Sequence, residues 1–191
     1  TSLNQTGLER NFKVQADGFF IANYHHQNVG MVSIFDYGTF ANIGGLGVLP
    51  EFQGRGIGQK LLEHIEDWAK ARNIPSLILD ATPEGARLYT KLGYQDLDVN
   101  HKMIFETLDQ SYILPANVRL MNSGKTSADL PELLEFDAPI FGGHRPQVIK
   151  VMLEYYPERF FLTHNSQGKI DGFIVAQSST IGPWVTQSEE S

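Results

Sequence analysis

The chain has 191 residues, 41% apolar and 11% aromatic, with no Cys, which excludes a disulfide scaffold, a thiolate zinc site and cysteine nucleophile chemistry. That supply of core-forming side chains argues for folded structure over intrinsic disorder, and no apolar run approaches the ~18 residues of a membrane helix. A net charge of −7 disfavours a nucleic-acid partner, which needs a basic surface. The opening Thr1-Ser2-Leu3-Asn4-Gln5 has no signal-peptide pattern, so a cytoplasmic location with no membrane partner is expected.

Residues 1–17 are polar and weakly patterned, and Phe19, Phe20, Ile21 and Ala22 then open a strand-like run. With residues 29–34 it reads as an antiparallel hairpin connected by Gln27-Asn28. A third strand is predicted over 41–49 and ends at Pro50, which cannot donate a ladder hydrogen bond. The period then becomes helical: Ile57, Leu61, Ile65, Trp68 and Arg72 line one face of a helix about four turns long. A buried strand is predicted over 76–80. Thr82-Pro83 signals a helix cap and first turn, so a second helix should run over 83–92 and stop at Gly93. Residues 99–106 read as a last strand. Alternating strands and helices make this an α/β unit.

The second half repeats part of the first. The run from Phe19 to Val32 aligns with the run from Phe160 to Ile174 with one inserted residue, matching an aromatic pair, the apolar positions and a glycine. Before the second copy, a strand is predicted over 118–121, a helix over 130–136, and a helix over 147–156 with Val148, Met152 and Tyr155 on one face. The repeat offset suggests a first domain over 1–108 without its opening strand and helix, and a partial second copy over 116–191.

The stretch from Leu46 to Gln59 concentrates the chemistry. A strand ends, a loop with Gly54, Gly56 and Gly58 follows, and an amphipathic helix begins at once. The first helical turn leaves N–H groups without partners, and successive loop amides point inward, so the corner suits an anion. Glycine permits positive φ and close approach, which points to a phosphate or pyrophosphate. A P-loop is excluded because Gly58 is followed by Gln59-Lys60-Leu61, with no hydroxyl for magnesium. A dinucleotide fold fits poorly, since the sixth position from Gly54 is Gln59. Asp80 nevertheless falls about where a ribose-binding acid would, so that alternative stays open.

Gln53-Gly54-Arg55-Gly56-Ile57-Gly58, preceded by Val48 and Pro50, resembles the acetyl-CoA signature of the GNAT N-acetyltransferase superfamily. Ala86-Arg87-Leu88-Tyr89-Thr90-Lys91-Leu92-Gly93-Tyr94 is similar to its second signature, and residues 137–145 resemble part of the second domain of tandem GNAT proteins. The resemblance implies a mixed, mostly antiparallel central sheet with a bulge, a splay between two strands, and flanking helices. It also implies acetyl-CoA as co-substrate, its pantetheine arm bonded to the main chain of Leu46, Gly47 and Val48, one of whose amides would polarise the thioester. Gly54, Arg55, Gly56, Ile57, Gly58 and Gln59 would hold the pyrophosphate. Thr82 stands where the family often has a pantetheine-contacting asparagine, and it is equally a helix cap.

By the same resemblance Tyr89 would protonate the departing thiolate, in a direct transfer to an amine of a small molecule or peptide. No base follows from it: Leu77 occupies the position at which some relatives carry an acid. Asp36, Glu51, Asp80, His25 and His26 read as surface groups or caps, and His25-His26, taken as neighbours on a strand, would face opposite sides and make no metal site. A non-catalytic acyl-CoA-binding module is the alternative reading.

Overall fold

A computed structural model of the chain describes residues 5–100, 104, 115–121 and 126–187, with side chains in the last range from 129 onward. The chain divides into two units, Thr1–Leu108 and Asp109–Ser191. No helix among the described residues is long and apolar enough to cross a membrane.

The first unit runs α1 (Gln5–Val14), β1 (Phe19–Tyr24), β2 (Gln27–Asp36), β3 (Ala41–Val48), α2 (Ile57–Ala71), β4 (Leu77–Leu79) and α3 (Pro83–Lys91). Its sheet has the order β1-β2-β3-β4; the first three strands are antiparallel and β4 runs parallel to β3. This is the mixed, mostly antiparallel sheet with flanking helices that the resemblance implied. Val32 and Ile34 of β2, Ala41 and Ile43 of β3, and Leu61, Leu62, Ile65 and Ala69 of α2 form the core. Burial at positions 61, 65 and 69 follows the four-residue helical spacing and fixes the face that α2 turns to the sheet. Ile57 and Trp68 lie at its margin. Arg72, expected on that face, instead follows the last turn, where its guanidinium lies 3.8 Å over the Trp68 ring and pairs with Asp17 at 3.0 Å.

Three local expectations change. The first hairpin turns at His25-His26, not at Gln27-Asn28: both histidines have positive φ (46° and 66°), and Tyr24 pairs with Gln27. This two-residue turn usually takes Asn or Gly. Here the Asn23 side chain supports it by accepting from the His26 N–H at 3.0 Å and donating to Asn28 Oδ1 at 3.2 Å. His25 and His26 are thus turn residues, not strand neighbours, and among the described residues no three His, Cys, Asp or Glu groups cluster for a metal. β4 is shorter than predicted and only half-buried, and among the described residues it pairs with β3 alone. Of the strand predicted over 99–106, Val99, Asn100 and Ile104 carry no regular structure, and the rest lies outside the described residues.

The second unit runs β5 (Val118–Leu120), α4 (Thr126–Phe141), α5 (Pro146–Tyr155), β6 (Phe160–His164), β7 (Ile170–Ala176) and β8 (Ile181–Thr186), with an antiparallel sheet in the order β5-β6-β7-β8. α4 is longer than the predicted 130–136. α5 buries Ile149, Val151 and Met152, a face turned from the predicted one, and Val148 packs only at the core's margin. Asp137, buried in α4, takes a two-pronged bond from Arg145, Nε to Oδ2 at 2.8 Å and Nη2 to Oδ1 at 2.6 Å. The guanidinium lies 3.9 Å over Phe141, so both charges are satisfied within the 137–145 segment.

The hairpins matched in the sequence share their pairing. Phe19 faces Ser33 and Ala22 faces Gly30; at the aligned positions Phe160 faces Val175 and Thr163 faces Gly172. Each ladder shifts register at the same place, after Ala22 and after Thr163. The one extra residue of the second copy lies between Thr163 and Gly172, the stretch that holds its longer turn.

Candidate functional site

The loop after β3 is built from short local bonds. Leu49 leads into a single 3-10 turn, Pro50–Phe52, closed by Gln53 N–H to Pro50 O at 3.2 Å. Gln53 Nε2 then donates back to Val48 O at 3.0 Å, tying the loop to the strand end. The sequence reading gave this residue no role of its own; its signal was its place as first residue of the glycine signature. Arg55 lies along the loop, donating to Glu51 O at 3.0 Å with its guanidinium 5.1 Å over the Phe52 ring.

The three glycines do different work. Gly54 and Gly56 have φ of +74° and +78°, and a Cβ on either would meet nothing within 4 Å. Conformation, not space, demands glycine there, and the backbone stays open to a ligand. Gly58 has no such φ, and a Cβ on it would meet Leu88 Cδ2 at 3.4 Å, an ordinary contact, so neither conformation nor space demands glycine there. Gly56 caps α2 without any side-chain bond, and the helical ladder starts with Lys60 N–H to Gly56 O at 3.0 Å. The N–H groups of Ile57, Gly58 and Gln59 therefore form the positive end of a 15-residue helix with no side-chain cap bond. The Gln59 side chain points away, to Glu63 Oε1 at 2.8 Å, so this residue offers its backbone.

Beside the loop the sheet opens. β3 pairs with β4 only through Ala41, Asn42 and Ile43; from Gly44 to Val48 that edge faces no strand among the described residues. The opposite edge stays paired with β2, interrupted by a bulge between Met31 and Ser33, where Gly45 has φ +37°. The Leu49 N–H reaches across to Val29 O at 2.9 Å. Alternation along the strand then turns the Gly47 N–H to β2 as well, and those of Leu46 and Val48 to the open edge. Of the three predicted residues, two present amides there. Gly47 contributes clear space, since a Cβ on it would meet nothing within 4 Å.

α3 brings up the remaining two. Thr82 caps it, Oγ1 accepting from the Gly85 N–H at 3.2 Å, so its hydroxyl is engaged in the capping role weighed above. Thr82→Ala is expected to lower stability by about 1 kcal/mol in denaturant unfolding and to leave coenzyme affinity unchanged; a large loss of affinity would return the residue to the ligand site. The helix ends in a Schellman turn at Gly93 (φ +92°), with Tyr94 N–H to Tyr89 O and Gly93 N–H to Thr90 O, both 3.1 Å. Tyr89 is half-buried against the core margin, 5.8 Å from the Tyr94 ring. The Tyr94 hydroxyl donates to Glu66 Oε1 at 3.1 Å, and burial together with that carboxylate holds its phenol far above the usual value. The Tyr89 phenol is also pushed up, by burial, and its hydroxyl has no hydrogen-bond partner among the described residues. Asp80, Glu51, His25 and His26 are exposed. Asp36 bonds to the Gly38 N–H of its own turn at 2.8 Å.

The Acetyltransferase (GNAT) family matches residues 2–94, which spans α1 through the end of α3. A candidate acetyltransferase from Pyrococcus horikoshii is 26% identical with a TM-score of 0.74; the match covers 96% of this chain and 60% of that one, so the present chain spans well under two thirds of that protein's length. A predicted acetyltransferase from Clostridium acetobutylicum with acetyl-CoA is 22% identical over 55% of this chain and 76% of its own, with a TM-score of 0.45. The glucosamine-6-phosphate N-acetyltransferase of Arabidopsis thaliana is 19% identical over 55% of this chain and 81% of its own, with a TM-score of 0.44. With the signature loop, the open strand edge and the second signature on α3 all inside the matched segment, residues 2–94 belong to the GNAT acetyltransferase family.

Proposed function

We propose that the chain binds acetyl-CoA and transfers its acetyl group directly to an amine. One observation carries this reading: the β3 edge from Gly44 to Val48, which faces no strand among the described residues, leads through the 49–56 loop to a helix start that has no side-chain cap bond. An extended arm with amide groups can add to that edge as a strand would, and a diphosphate can then sit on the N–H groups from Gly54 to Gln59. Arg55 and Lys60 add positive charge beside it.

In the transfer, the Leu46 or Val48 amide donates to the thioester oxygen as negative charge develops there. The amine nitrogen forms its bond to the carbonyl carbon, the carbon–sulfur bond breaks, and the nitrogen loses one proton. Tyr89 supplies a proton to the sulfur and recovers one through solvent, so the products are the amide and free coenzyme A. No covalent acyl-enzyme is needed. The shared register of the two hairpins supports reading the second unit as another copy of this fold.

Calorimetric titration with acetyl-CoA and an assay of amine-dependent thiol release test the proposal together. Saturable binding with thiol release is expected. Binding without release on a broad amine panel would make the chain an acyl-CoA-binding module, and absence of binding would remove the proposal.

A further inference from the structure

Ile21, Met31 and Gly47 lie in one row across three strands, Ile21 paired with Met31 and Met31 with Gly47. The row helps to line a cleft of about 420 Å³ to which Asn28, Val48 and Leu49 also contribute. Among the described residues, no charged side chain lines it. Its polar side chain is Asn28, whose Oδ1 accepts from Asn23 Nδ2 at 3.2 Å. The basic side chains of the neighbourhood, Arg55, Lys60 and His64, line an adjoining cleft of about 450 Å³ between β1 and α2, which shares Ile21 and Val29 with the first. Val48 belongs both to the uncharged cleft and to the open edge, and Gly47 leaves the passage clear of side chains.

Resting on the coenzyme reading above, we propose that this uncharged cleft is the acceptor subsite and that it selects small amines with an apolar substituent, taken up as the neutral base, over polycationic amines. An alkylamine of pKa ~10.4 is neutral in only about one molecule in 10³ at pH 7. A carboxylate lining the cleft would hold the proton on the nitrogen, whereas an apolar lining gives the ammonium no such partner and suits the neutral base. The cleft thereby does part of the work for which no side-chain base is placed. The neutral nitrogen then attacks the acetyl carbon, and the second proton leaves as the amide forms.

The experiment uses the full chain with acetyl-CoA and two acceptor probes, phenylethylamine and spermidine, with coenzyme affinity measured separately by calorimetry. Phenylethylamine is expected to have the higher kcat/KM by at least about tenfold. Asn28→Asp preserves the acceptor atom for Asn23 and adds a carboxylate at the rim. It should shrink that preference about tenfold and move the ascending limb of the kcat–pH profile to higher pH, because the bound ammonium is stabilised. Ile21→Asp, on the exposed side of an edge strand, should act in the same direction. A preference for spermidine, no effect of either variant, or no turnover of either probe, with coenzyme binding intact, overturns this inference alone. Loss of coenzyme binding in the unmodified chain overturns the coenzyme reading and this inference with it.

Discussion

Gly56→Asp is expected to abolish coenzyme binding while leaving the chain folded, seen as loss of both the calorimetric heat and the ligand-dependent rise in Tm. Position 56 has φ +78°, and forcing an L-residue into that conformation costs about 1–2 kcal/mol. Aspartate tolerates it better than most residues, and a carboxylate at the positive end of α2 recovers part of the cost in the free protein. For the ligand the same carboxylate is repulsive. At about 4 Å and an intermediate dielectric, two unit like charges oppose each other by about 4 kcal/mol, roughly three orders of magnitude in Kd. A diphosphate feels more than one such term. Gly56→Asn separates the causes, since it has nearly the same shape without the charge: it should lower stability by the backbone cost and lose far less affinity than the aspartate. If the aspartate variant binds acetyl-CoA like the parent, the diphosphate does not sit at the start of α2.

The glycine corner was legible in the sequence because positive φ has a residue signature, yet the signature does not separate its causes. Gly54 and Gly56 need glycine for conformation, while Gly58, two residues on, lies within α2 without positive φ, and a Cβ there would make only an ordinary contact with Leu88. Leu46, Gly47 and Val48 were found as a group, but which of them faces the open edge depends on strand parity, and no residue type marks parity. It follows from where the Leu49 N–H finds its partner on β2. Gln53 was visible as a motif position and its bond to Val48 O was not, because a side chain returning to the main chain depends on the turn between them. The hairpin turn was misplaced for a related reason: histidine carries no turn signal, and the Asn23 side chain that supports the turn lies two residues before it. For α5 the periodicity was right and the phase was not, since Val148 and Ile149 are both apolar and only packing chooses between them.

Tyr89→Phe is expected to lower kcat by about 10²- to 10⁴-fold, the usual range for a positioned proton donor, with coenzyme Kd unchanged. The energetics look unfavourable at first. A phenol near 10 donating to a thiolate near 8.5 already works uphill by about 2 kcal/mol, and burial raises the Tyr89 phenol further. The acceptor atom would meet the same half-buried surroundings, and desolvation makes a thiolate more basic too. The two shifts have the same sign and offset each other in the transfer. The raised phenol also fixes the pH behaviour. The donor must be protonated, and a phenol raised by burial stays so across the neutral range, so any loss of kcat from its ionisation falls on the alkaline side. The phenylalanine variant should lack that alkaline limb. Tyr94→Phe is the control: it removes the bond to Glu66 and should cost about 1 kcal/mol of stability while leaving kcat within a few-fold of the parent. Equal turnover by Tyr89→Phe and the parent chain would leave the hydroxyl a packing group on α3, with solvent supplying the proton to sulfur.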